Sequence, residues 1–178
     1  MEVQIAKNTS INLSSRIDKT IYNLLTSDAQ KRGISINSLV NQILKKYISW
    51  ERNADDIGFV PLSKLAVQDI FTELDEKKIK DIATNVGSTI PRNLLRLNFN
   101  VLTFNNILLL LEIFGERFGN VRHNIKDSKH YFSIYHGVNE NFSIYLKYWH
   151  QALADDLEIK ITVIDMTHNM LTFVVEER

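Results

Sequence analysis

Residues 11–17 read INLSSRI, and together with the stretch that follows as far as Ile48 they decide how the chain is read. Ile11, Leu13 and Ile17 fall on one face of a strand, while Asn12, Ser14 and Arg16 fall on the other, the period-2 alternation of a half-buried strand. A lone strand leaves its backbone N–H and C=O groups unpaired, so it needs an antiparallel mate. No second strand lies nearby in the sequence. The expected mate is therefore the same strand of a second copy.

Two short amphipathic helices are expected next. Asp18 is the cap of the first, Ile21, Leu24, Leu25 and Ala29 form its apolar stripe, and Gly33 supplies the left-handed residue that ends it. Ser35 caps the second, in which Leu39, Val40, Ile43, Leu44, Tyr47 and Ile48 recur at helical spacing and Lys45 and Lys46 take the exposed side. Helices this short cannot cover such stripes alone. Intertwining with a second copy would cover both helices and the apolar strand face together, which implies an obligate homodimer.

Residues 9–50 resemble the ribbon-helix-helix repressors of the Arc, MetJ and CopG type, most specifically in RGISINSLVNQILKKYI, which carries a glycine, a branched residue, a Ser cap and an apolar helix at matching spacing. The resemblance covers under a third of the chain. In that family the paired strands enter the major groove, and three alternating residues per strand read base edges, a role that falls here to Asn12, Ser14 and Arg16. The amides opening the second helix clamp a phosphate, which implicates Ser35, Ile36 and Asn37. The side-chain chemistry agrees: Arg16 can donate two hydrogen bonds to guanine O6 and N7 and Asn12 can pair with adenine N6 and N7, each worth about 1–3 kcal/mol of discrimination. Lys45 and Lys46 are candidates for phosphate contact alone.

Length allows one large domain or two small ones, and charge favours two. Residues 1–53 carry eight Lys and Arg against four Asp and Glu, whereas 54–178 carry thirteen against seventeen, so the halves stand near +4 and −4. A basic amino-terminal module doubled by dimerisation suits phosphate contact, and an acidic remainder is repelled from it. The expected division is 1–52, a ribbon-helix-helix DNA-binding domain, and 60–178, an α+β domain for regulation or oligomerisation, with residues 51–61 as a hinge. The chain has no cysteine, which excludes disulfides and thiolate chemistry. The apolar window NILLLLEIF is too short to span a bilayer and contains Glu112, so a buried helix is expected. With no targeting segment expected ahead of the strand, the protein is placed in the cytoplasm, on the nucleoid.

In the larger half, Ser63 is expected to start a helix through Leu65, Ile70, Phe71 and Leu74, and Asp75 another through Ile79, Ile82, Ala83 and Val86 that ends at Gly87, with Pro91 as punctuation. An all-round apolar helix follows from Ile107 to Phe118. Period-2 runs on either side of Asp127 and Ser128 read as a hairpin, a helix spans about Asn141 to Asp156, and Ile159–Ile164 pairs with Met170–Val175 across His168 and Asn169. The fold class is α+β: a dimeric strand-helix-helix followed by an α+β domain, its antiparallel sheet of about four strands packed on helices.

The five histidines, at 123, 130, 136, 150 and 168, show no i,i+4 pair and no tight carboxylate cluster, so no metal and no cofactor is expected. Nickel-responsive repressors also join a ribbon-helix-helix module to an α+β domain, but they use a Cys that this chain lacks. His136 is retained as a candidate because it precedes Gly137 at a strand-to-helix junction, where a helix amino terminus can hold an anion. With Tyr135 and Trp149 it forms a candidate ligand site, against the more ordinary expectation that the aromatics fill a sheet-to-helix core. No Ser-His-Asp, Cys-His or phosphate-loop pattern is present, and no enzyme is expected. The expected function is sequence-specific DNA binding as a homodimeric regulator, a repressor by its family resemblance, with tetramer assembly and a small-molecule effector left open. The alternative is an antitoxin-like or other protein-interaction module.

Overall fold

The computed structural model describes residues 11–99 and 101–177, so Thr9 and Ser10, where the ribbon-helix-helix resemblance begins, lie outside the described residues. Two compact units divide between Ala54 and Asp55. In the first, α1 (Lys19–Lys31) and α2 (Ile36–Lys46) form the expected helical pair. Asp18 Oδ1 accepts the Thr20 and Ile21 amides at 2.7 and 3.4 Å, and these bonds hold its carboxyl below the usual range. Gly33, at φ +65°, turns the chain out of α1 while the Ile34 amide reaches back to the Ala29 carbonyl at 3.0 Å. Ala29 and Leu39 are the buried apolar residues of this pair.

Two expectations for the first unit are corrected. Residues 11–17 form no strand in the single chain, because a strand is completed by its ladder and this segment has no partner to hydrogen-bond. Residues 51–61 are also not an open hinge throughout. Helical structure runs on from α2 through a π-helical turn at Tyr47–Glu51 into α3 (Arg52–Ile57), and the break comes at Gly58, φ +83°.

The second unit begins with α4 (Lys64–Thr72), capped by Ser63, and α5 (Glu76–Asn98), capped by Asp75. Neither Gly87 nor Pro91 ends α5. Ile79, Ala83, Gly87, Pro91 and Leu94 form one buried stripe at steps of three or four, and burying it outweighs the local cost of the two helix breakers. Gly87 is there because the helices touch: a Cβ at this position would lie 2.4 Å from the Trp149 carbonyl oxygen. Gly87→Ala is expected to force α5 off its neighbour and to destabilise the domain by about 3 kcal/mol, read as a lowered urea midpoint with an unchanged m-value.

α6 (Phe104–Phe118), capped by Thr103, leads into the hairpin β1 (Asn120–Lys126) and β2 (Lys129–Tyr135). Asp127 and Ser128, both at positive φ, make its two-residue turn. α7 (Glu140–Asp156) starts one residue after its cap Asn139, and β3 (Lys160–Met166) with β4 (Met170–Glu176) closes the chain. The sheet is antiparallel with order β1-β2-β4-β3, so β4 lies inside and β1 and β3 are the edges. One face packs on helices, α6 over β1 and β2 and α7 over β3 and β4, with α5 lying along α7. Phe132, Ile134, Leu171 and Phe173 from the sheet meet Leu110, Leu111, Trp149 and Leu153 from the helices in a fully buried core. The fold is the expected α+β arrangement of a four-stranded sheet on helices.

Candidate nucleic-acid interface

Asn12, Ser14 and Arg16 are exposed, and Ile11 and Leu13 alternate with them at 90% and 79% exposure. Leu24 on α1 is 65% exposed, and Ile43, Leu44 and Ile48 also stand open. A monomer does not ordinarily leave so many large apolar side chains of one short segment in water. They come from the apolar positions of residues 11–17 and from both helical stripes, in which Ala29 and Leu39 are buried.

At the start of α2, Ser35 is in extended conformation and its Oγ accepts the Ser38 amide at 3.0 Å. The amides of Ile36 and Asn37 belong to the first turn, where a helix has no internal acceptor to offer, and Ser35 and Asn37 are exposed. That leaves a place for an anion. At the other end of α2 Lys45 is exposed, whereas Lys46 pairs with Glu51 at 3.0 Å. Both members of that pair are about half exposed, so it contributes on the order of 0–1 kcal/mol and a phosphate can displace it.

In the second unit His136, Tyr135 and Trp149 do not share a site. His136 is fully buried with both ring nitrogens engaged: Nδ1 accepts the Val138 amide at 3.1 Å, and Nε2–H donates to Ser143 Oγ at 2.8 Å. Ser143 in turn donates to the Thr167 carbonyl at 2.6 Å. Burial, with the charge of Lys64 and then His168 adding to it, pushes His136 down to about 4. Tyr135 is half exposed and its hydroxyl accepts from Asn169 Nδ2 at 3.2 Å. Trp149 is buried against Phe114 and Phe118 in edge-to-face contacts.

The amino end of α7 is likewise occupied by protein. Asn139 caps Phe142 through Oδ1 and donates to the Gln68 carbonyl, while Asn141 donates to the Phe71 and Leu74 carbonyls. These bonds satisfy the last turn of α4 and seal the junction where an anion had been expected. Asp156 receives Arg92 Nε at 2.8 Å and ties α5 to the end of α7.

One cluster escaped the sequence reading. Glu112 Oε1 lies 2.6 Å from His123 Nδ1, and His123 Nε2 lies 2.9 Å from His130 Nδ1, a line of three titratable side chains from α6 across β1 to β2. The signal that would have found it is the hairpin register: the two-residue turn pairs Lys126 with Lys129, which puts His123 and His130 diagonally on one face. Among the described residues no three His, Asp or Glu side chains are grouped to hold a metal ion. None of the described helices is long and apolar enough to cross a membrane.

No protein-family model matches the chain, and neither the curated proteins nor the solved structures compared with it give a match.

Proposed function

We propose that this chain is a sequence-specific DNA-binding transcriptional regulator that acts as a homodimer through an amino-terminal ribbon-helix-helix module. The observation that carries the reading is the apolar series left exposed on residues 11–17, α1 and α2. Pairing the 11–17 segments of two copies supplies the missing ladder and covers that series. It also leaves Asn12, Ser14 and Arg16 on the opposite face, at strand spacing suited to the major groove. Ser35, Ile36 and Asn37 then meet a phosphate, with Lys45 and Lys46 contributing non-specific attraction. The carboxy-terminal domain serves effector sensing or further assembly, and its buried core sets it apart from a tail that orders only on a partner.

Selection of bound sequences from a randomised duplex pool by the full-length protein tests this. A two-fold-related motif is expected, and Arg16→Ala is expected to lose it at one position per half-site, with affinity down by about ten- to a hundredfold at fixed salt. An Arg16→Ala dimer that enriches the same motif with the same strength would remove Arg16 from base reading.

A further inference from the structure

The line Glu112–His123–His130 has a defined proton inventory. With both rings neutral, His123 must carry its hydrogen on Nδ1 to meet the Glu112 carboxylate, so its Nε2 is an acceptor. His130 must then carry its hydrogen on Nδ1 and donate it to His123 Nε2, leaving its own Nε2 as a lone pair. One added proton can be taken without breaking either bond, since it settles on the far nitrogen of His130, and the hydrogen between the rings can then sit on either of them. A second proton on the rings cannot. Both facing nitrogens would then be N–H donors, and two imidazolium charges would lie in contact.

We propose that Glu112, His123 and His130 form a proton-counting latch that holds β1 to α6, closed with none or one added proton and opened by the second. The charged groups that act on His130 are His123 from β1 and Glu112 from α6, and Glu112 also bonds His123 directly. Opposite them β4 brings Phe173 and Val175, and the ion pair of Lys129 with Glu176 belongs to the other face of the sheet. His123 stacks on Phe132 at 4.1 Å and His130 meets the Phe104 ring at 5.6 Å, so parting the rings disturbs both the hairpin and the start of α6. β1 is an edge strand, paired on one side only, and the latch is its polar tie to the helix layer. Burial and the neighbouring His123 both hold His130 below the ordinary histidine range, against a smaller opposing pull from Glu112, in keeping with a second proton that is refused until the medium is acidic.

Ring nitrogen NMR on the full-length protein, combined with amide hydrogen exchange, tests the latch. At neutral pH a slowly exchanging N–H is expected on Nδ1 of each ring, and Glu112→Leu, which has no acceptor, should remove the one on His123. On acidification the two rings should respond together in a first step. In a second step β1 amides should lose roughly tenfold more protection than α7 amides, whose own loss follows the stability of the whole domain. His130→Asn keeps a donor near the Nδ1 position but cannot take a proton, so it should abolish the second step and leave β1 protection in step with that of α7. Rings that titrate independently, a His123 titration identical in wild type and His130→Asn, or β1 protection that falls only in step with that of α7 in the wild type would each overturn the proposal.

Discussion

Ile43→Asp is expected to convert the protein from dimer to monomer, abolish sequence-specific DNA binding and leave the carboxy-terminal domain folded. Ile43 lies on α2 and is 45% exposed in the single chain, so a carboxylate there stays in water in a lone protomer. In a dimer that buries the face, the substitution occurs twice by symmetry and places two like charges in an apolar interface. A cost of about 4 kcal/mol weakens association roughly a thousandfold. Sedimentation measures the change in mass, a duplex-binding assay the loss of specific binding, and far-UV circular dichroism should show lost helix confined to the amino-terminal unit. A variant that stays dimeric and binds as wild type would mean that the exposed apolar series is not the interface. Asn23→Asp, at an exposed position on α1 outside its apolar stripe, is the control for an added carboxylate.

The caps were the most legible part of the sequence. Asp18, Ser35, Ser63 and Asp75 each start the helix expected of them, because a side-chain oxygen just ahead of an apolar run answers a purely local need. Both hairpins were legible for a similar reason. What depends on distant partners was not. Gly87 and Pro91 read as terminators until the backbone of Trp149 is seen lying against Gly87. The central place of β4 and the Asn139 and Asn141 bonds to α4 join residues far apart in sequence, which neither period nor spacing encodes.

Alternation marked two faces on residues 11–17, and the DNA-reading role of one of them came from the ribbon-helix-helix resemblance. The structure adds that its polar residues are exposed and that the accompanying apolar ones are uncovered in one chain. The candidate ligand site failed for a physical reason. An aromatic-rich strand-to-helix junction can be a pocket or a filled core, and Trp149 at 1% exposure and the sealed amino end of α7 make this one a core.

That core makes the carboxy-terminal domain acid-sensitive. His136 and His150 are both fully buried and both pushed down to about 4, first by burial. His150 donates Nδ1–H to the Leu146 carbonyl at 2.7 Å, and its Nε2 has no hydrogen-bond partner among rings that include Trp149 and Phe173. In the unfolded chain each imidazole binds its proton near 6.5, so between that pH and about 4 the unfolded state holds more protons than the folded one. Stability from the neutral rings is therefore fully present above 6.5, falls as the pH drops through this window and is gone below it. Each ring accounts for about 3 kcal/mol on this reckoning, and the pair for a large share of the 5–15 kcal/mol that typically holds a domain together. Urea midpoints of the second unit's transition should therefore drop steeply between pH 7 and pH 4.5. His150→Leu removes the unpartnered nitrogen together with its proton site, so it should cost little at pH 7 and halve the acid loss. Midpoints that are level across the window would show that these rings take up protons within the fold, and His136 would then have to give up its bond from the Val138 amide without loss of stability.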